Sequence, residues 1–199
     1  MNIINQIIFP KFSGIKCHMM PFIQGDPDSL PKEYKAYSSV VKNNFLDKGK
    51  IGYLTIDESF VSAGKSQRGY NSSGINREVH IEVGMGKKEF HWGSSWGGNY
   101  KVLLDKETQV LIANSISNTC KVFDTTERRF TSDGDLSDYI EDYPESSGIL
   151  LKSGQLAKMS IFTPHECIKQ TKSGNRQFIR IVGEGVEGRE DYFTVNPLI

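Results

Sequence analysis

His80, Glu82 and His165 are the residues of this chain best suited by type and spacing to grip one metal ion. The stretch Glu78-Val79-His80-Ile81-Glu82-Val83 reads as a strand. Alternate side chains of a strand leave on the same face, so the imidazole and the carboxylate approach an ion from one side. Thr163-Pro164-His165-Glu166 supplies a second imidazole, and the proline restricts the backbone that aims it. Glu166 points away from His165 along the same strand and is not counted as a ligand. Two nitrogens and one carboxylate oxygen leave further coordination positions open for other molecules. Ten residues lie between His165 and Arg176. A turn through Ser173-Gly174-Asn175 can return that arginine to the metal, where its guanidinium would take a carboxylate through paired hydrogen bonds. Arg176, Phe178 and Arg180 share a face of that strand, which makes Arg180 the second candidate clamp; for either arginine the bland alternative is a surface salt bridge.

His-x-Glu, then a distal His, then an Arg resembles the Fe(II)/2-oxoglutarate-dependent dioxygenases over roughly residues 77–181, as spaced motifs. The resemblance implies a mainly β fold, a double-stranded β-helix or jelly roll of two facing sheets. It implies Fe(II) on His80, Glu82 and His165, and 2-oxoglutarate as cosubstrate with its far carboxylate on Arg176 or Arg180. The implied reaction is hydroxylation of a C–H bond. The family more often carries Asp in place of Glu82, and often Ser or Thr where this chain has Phe178. Two other readings stand beside it. One is a metal cupin that acts without 2-oxoglutarate. The other is a non-catalytic jelly-roll binding module that recognises a sugar or peptide through the Trp92/Trp96 segment.

Substrate contacts are expected from loops beside such a site. Arg68, in the polar loop Gly64–Gly74, suits an anionic substrate or is simply solvated. Trp92 and Trp96, among the glycines that follow the first two ligands, offer flat stacking surface or plug a sheet edge. His91 is the competitor for a metal position, and His18 reads as a partly buried structural histidine or as a residue facing the site. Asp57 and Glu58 are adjacent on a strand and point to opposite faces, so they are poorly placed to act on one atom; one or both are expected on the surface. Gly84-x-Gly86 lacks the third glycine and the following helix of a dinucleotide site. The acidic run Asp133–Asp138 lacks the terminal glutamate of a calcium loop and reads as a turn.

The elements that must position these groups are short and β-rich. Ile51–Glu58 is a strand, and further strands follow near residues 100–104, 110–113, 120–123 and 149–162. Such spacing suggests a sandwich or barrel. One principal helix is expected over residues 31–46, with Tyr34, Tyr37, Val41 and Phe45 on its packed side. Residues 1–50 would form an N-terminal strand-helix extension of a single 1–199 domain.

Lys and Arg number 24, as do Asp and Glu, which argues against a highly charged nucleic-acid or membrane-surface protein. A small molecule or peptide is therefore the expected substrate. No apolar run reaches membrane-spanning length, and the first ten residues lack the basic start of a secretory signal. Three widely spaced cysteines make no disulfide framework, so a reducing, cytoplasmic interior is the expected compartment.

Overall fold

The computed structural model describes residues 1–68, 77–85, 90–92, 101–102, 108–129, 134–183, 186–187 and 193–199. The chain is mainly β. Its strands are β1 (Asn2–Gln6), β2 (Lys16–Ile23), β3 (Ile51–Val61), β4 (Val79–His80), β5 (Val83–Met85), β6 (Phe90–Trp92) and β7 (Lys101–Val102). Then come β8 (Gln109–Asn114), β9 (Cys120–Val122), β10 (Ile149–Leu150), β11 (Gln155–Ser160), β12 (His165–Cys167), β13 (Gly174–Val182) and β14 (Val186–Glu187). Six strands form one antiparallel sheet in the order β1-β11-β8-β13-β3-β2. Four form a second antiparallel sheet in the order β10-β9-β12-β4. A third set runs β14-β7-β6-β5.

Period-two patterning gives the large sheet two apolar faces. On β8, Val110 and Ile112 join an inner cluster, whereas Leu111 and Ala113 join an outer one. The inner cluster also holds Val79 of β4 and Val122 of β9, so the first two sheets pack against one another. The outer cluster is closed by the N-terminal segment through Leu30, Tyr34, Tyr37, Val40 and Val41. The segment from residue 1 to 50 is thus woven into the fold: β1 and β2 form the two edges of the large sheet.

The helix is shorter than expected. Lys32–Tyr37 is a 3-10 turn, and only Ser38–Asn43, α1, is α-helical. The buried residues Tyr34, Tyr37 and Val40 recur every third position, the repeat of a 3-10 helix. Ser38, Ser39, Val40 and Val41 are also modest helix formers. Phe45, placed on the packed side by an α-helical period, is instead 36% exposed.

A second difference lies at the strand expected to carry His80 and Glu82. Glu78–Val83 is not one strand. β4 ends at His80, the Ile81 amide donates to the Gly134 carbonyl (2.9 Å) and the Glu82 amide to the Ile161 carbonyl (3.0 Å), and β5 begins at Val83 in the third sheet. Gly134 permits this crossing. Its φ is +82°, and a Cβ there would sit 2.4 Å from the Ile81 carbonyl oxygen. A bulge between Cys17 and Met20 of β2 puts Met19 in the left-handed region at φ 47°. It sends Met19 to the inner cluster while Cys17 and Met20 both join the outer one.

The C-terminal end packs on β2. The Thr194 amide donates to the His18 carbonyl (2.8 Å), and Asn196 donates to the carbonyls of Pro21 and Ser29. Among the described residues no helix is long and apolar enough to cross a membrane.

Candidate functional site

β12 lies between β4 and β9, and its pairing sets the site. His165 is the direct partner of His80 across the β12–β4 ladder. The two rings are 4.0 Å apart, centre to centre, at 60°. Both histidines and Glu82 are buried. The Nδ1 of His165 lies 2.9 Å from the Thr163 carbonyl oxygen. A carbonyl only accepts, so Nδ1 carries the proton and Nε2 faces inward. That Nε2 is 3.5 Å from Glu82 Oε1. Nitrogen and carboxylate oxygen tolerate this approach when a proton or another cation stands between them.

The other oxygen of Glu82 is held from behind. Arg180 Nη1 donates to Glu82 Oε2 at 2.6 Å, and its Nη2 reaches Thr55 Oγ1 at 3.3 Å. Burial raises the Glu82 pKa, but the Arg180 charge and, when a proton sits on its Nε2, a hydrogen bond from His165 outweigh it, and the carboxyl falls to about 2. His80 moves well below the usual histidine range, first by burial, then by the neighbouring charge of Arg68. It is neutral, with a ring lone pair to offer.

Arg176 comes from β13 on the large sheet. It is 2% exposed, and its guanidinium donates to Thr119 Oγ1 (2.9 Å) and to the side-chain oxygen of Gln67. Arg176, Phe178 and Arg180 all line the cavity that holds His80, Glu82 and His165. Arg68, next to Gln67, contacts His80 Nε2 through Nη1 and pairs with Glu78 through Nε at 2.9 Å. The cavity measures about 40 Å³. That admits a few waters or an ion, whereas organic ligands fill pockets of roughly 300–1,000 Å³. Gln67 and Arg68 must swing aside before a diacid can enter.

The donor types at His80, Glu82 and His165 fit a divalent ion with open positions, and the inward Nε2 of His165 against a buried carboxylate oxygen is the feature that asks for a cation. As the side chains stand, no group of three His, Cys, Asp or Glu among the described residues is drawn close enough to hold one. Arg68 sits on the His80 nitrogen that would ligate.

Residues outside the expected set complete the site. Gln67 bridges Asp57 O (2.8 Å) and Ser59 Oγ (2.7 Å) to Arg176. Thr119 anchors Arg176, and Thr55 anchors Arg180. No spacing in the sequence signals them, because each arrives from a different strand or loop. Glu166 also borders the cavity, but its carboxylate is clamped by Arg77 through two bonds of 2.9 and 2.8 Å. His18 is within electrostatic range of Arg180 and Glu82, and burial pushes its pKa down to about 3.

Asp57 and Glu58 do point to opposite faces, but Glu58 is not at the surface. Asp57 lines the cavity and pairs with Lys16 at 2.9 Å. Glu58 is 1% exposed, because the N-terminal segment folds over it. The backbone of Trp92 lies on β6, while its side chain and that of His91 lie outside the described residues, as does Trp96. In the acidic run Asp133–Asp138, Gly134 bends, Asp135 makes an isolated antiparallel bridge with His80 rather than part of a turn, and Ser137 opens a 3-10 helix, Ser137–Asp142; Asp133 itself lies outside the described residues.

Compared with known proteins, the chain matches no family model, no curated protein and no solved structure.

Proposed function

We propose that this chain is a metal-dependent oxygenase, an Fe(II)- and 2-oxoglutarate-dependent hydroxylase built on a double-stranded β-helix. The strand order supports the fold. From β3 to β13, leaving aside β5, β6 and β7 of the third set, the chain goes large sheet, small sheet, large, small, small, large, small, large, through β3, β4, β8, β9, β10, β11, β12 and β13. Such winding between two packed sheets is what a jelly roll requires, and it supports this reading. The carrying observation is the pairing of His80 with His165 across adjacent strands, with Glu82 Oε1 3.5 Å from the second imidazole.

In this reading His80, Glu82 and His165 hold the ion. Arg180 fixes the outer oxygen of Glu82 and so aims the inner one, as residues behind a metal ligand commonly do. Arg176 receives the far carboxylate of 2-oxoglutarate once Gln67 leaves it. Phe178 and the inner apolar cluster keep water from the reacting atoms. When bound, Fe(II) and 2-oxoglutarate supply the oxygen-activating chemistry. Arg68, on the loop side, meets an anionic substrate.

Anaerobic titration of Fe(II), then of 2-oxoglutarate, tests this. The wild type should bind both, and His165→Ala should lose the metal. Arg176→Ala should weaken 2-oxoglutarate roughly ten- to a hundredfold with metal binding retained, the size of a lost charge-assisted pair. Arg176→Lys should restore only part, because lysine lacks the fork. A wild type that binds no metal overturns the proposal. The grip of Gln67 on Arg176 favours one second reading, a metal cupin that acts without the cosubstrate. Metal binding without 2-oxoglutarate binding would select it.

A further inference from the structure

Two of the three cysteines, distant in sequence, are brought face to face. Cys167 of β12 and Cys120 of β9 are direct partners in the ladder. The Phe123 amide donates to the Pro164 carbonyl (2.9 Å) and the Ile168 amide to the Thr119 carbonyl (3.0 Å). These bonds flank the paired residues, so Cys120 and Cys167 occupy a non-hydrogen-bonded site. At such a site the Cα atoms are about 4.5 Å apart and both side chains leave one face of the sheet. That separation lies within the range of roughly 4.4–6.8 Å that a disulfide spans. Both thiols are free, and both line the cavity beside His165. Cys120 is buried and Cys167 is half-buried, so an oxidant reaches Cys167 first. Cys17 lies in the outer apolar cluster, on the far side of the large sheet.

We propose that Cys120 and Cys167 are a redox couple that closes a cross-strand disulfide in the wall of this cavity when the protein meets a peroxide. The sulfur of Cys167 attacks one peroxide oxygen and the O–O bond breaks. One oxygen stays on sulfur as a sulfenic acid and the other leaves as water. The sulfur of Cys120 then attacks the sulfenic sulfur. The S–S bond forms, the S–O bond breaks, and a second water carries off the remaining thiol proton. Two thiols and one hydrogen peroxide give one disulfide and two waters. The second step is fast because the ladder holds the two sulfurs together before reaction. A dithiol reductant reverses the bond by exchange. Closure locks β9 to β12 beside His165 and beside Thr119, which carries Arg176. The disulfide therefore acts on both halves of the site, although its formation rests on strand pairing alone and not on the oxygenase reading.

The test is a thiol count on the full chain. Protein is treated with hydrogen peroxide, quenched, unfolded and alkylated, and its peptides are read by mass spectrometry. Accessible thiols should fall from three to one. The lost pair should appear as a Cys120–Cys167 linked peptide within a single chain, with Cys17 alkylated, and dithiothreitol should restore all three thiols. Cys17→Ser should fall from two thiols to none, and Cys167→Ser should keep both of its thiols. Three thiols persisting under peroxide that oxidises a vicinal-dithiol peptide would overturn the proposal. So would a linkage through Cys17, or oxidation of Cys167 to sulfinic acid without a cross-link.

Discussion

Two buried carboxylates lie near opposite faces of the large sheet and are satisfied in opposite ways. Glu58, on the outer face, receives neutral donors. The amides of Ser13 (2.6 Å) and Gly14 (2.7 Å) meet one oxygen, and Tyr37 Oη (2.8 Å) and Gln177 Nε2 (2.9 Å) meet the other. These bonds outweigh burial and lower its pKa. Glu82, on the inner face, has one oxygen on a guanidinium and the other toward an imidazole nitrogen. Four neutral donors saturate a carboxylate and close it, as suits a clasp that pins the N-terminal segment to β3. A carboxylate held by one cation from behind still presents an oxygen to the cavity. That difference separates a structural acid from a candidate ligand more clearly than burial, which the two share.

Removing each charge should break the comparison most sharply. Glu82→Gln strips Arg180 of its counter-charge inside the protein and should cost about 3–5 kcal/mol, read from the urea midpoint at constant slope. Glu58→Gln keeps an acceptor for Tyr37 and Gln177 but turns an amide toward the Ser13 and Gly14 donors, and should cost about 1–3 kcal/mol. Equal losses would mean that the charge on Glu82 contributes nothing special.

Acid should sharpen the same contrast. The Glu82 pKa is lower folded, about 2, than its ordinary 4.5. Its stabilisation is therefore complete above about pH 4.5 and drains away as pH falls through 2, on the order of 3 kcal/mol in all. Glu82→Gln should show a shallower acid slope than wild type when unfolding is followed from about pH 5 to 2.5. An unchanged slope would assign acid sensitivity to other groups.

His18 works in the same direction at milder pH. Its folded pKa of about 3 lies below the ordinary 6.5, so the unfolded chain binds the proton first. Stability should fall as pH drops below 6.5, by at most about 1.4 kcal/mol per unit from this residue. His18→Gln should reduce that slope between about pH 6.5 and 5. His80, also depressed, keeps it from vanishing.

The smallest effect is expected at the clasp. Tyr37→Phe removes one of four strong donors to Glu58 and should cost about 1.5 kcal/mol. A much larger loss would show that Tyr37 fixes the 3-10 turn as well as the carboxylate.

What the sequence determined by itself is what local periodicity can encode. Alternation with period two predicts that Arg176, Phe178 and Arg180 share a face, and they line one cavity. It likewise sends Asp57 and Glu58 to opposite sides, and β-branched and aromatic runs announce the strands. Tertiary structure alone decided the rest, because it depends on pairing between distant segments. β12 inserts between β4 and β9, and only then does His165 face His80 and Cys167 face Cys120. The crossing at Ile81–Glu82 depends on Gly134, which no pattern within Glu78–Val83 reveals. Arg180 reaches Glu82 and Gln67 reaches Arg176 across loops and sheets, where no spacing rule applies. A one-dimensional pattern fixes which way a side chain points from its own backbone, and the packing of sheets fixes what it meets there.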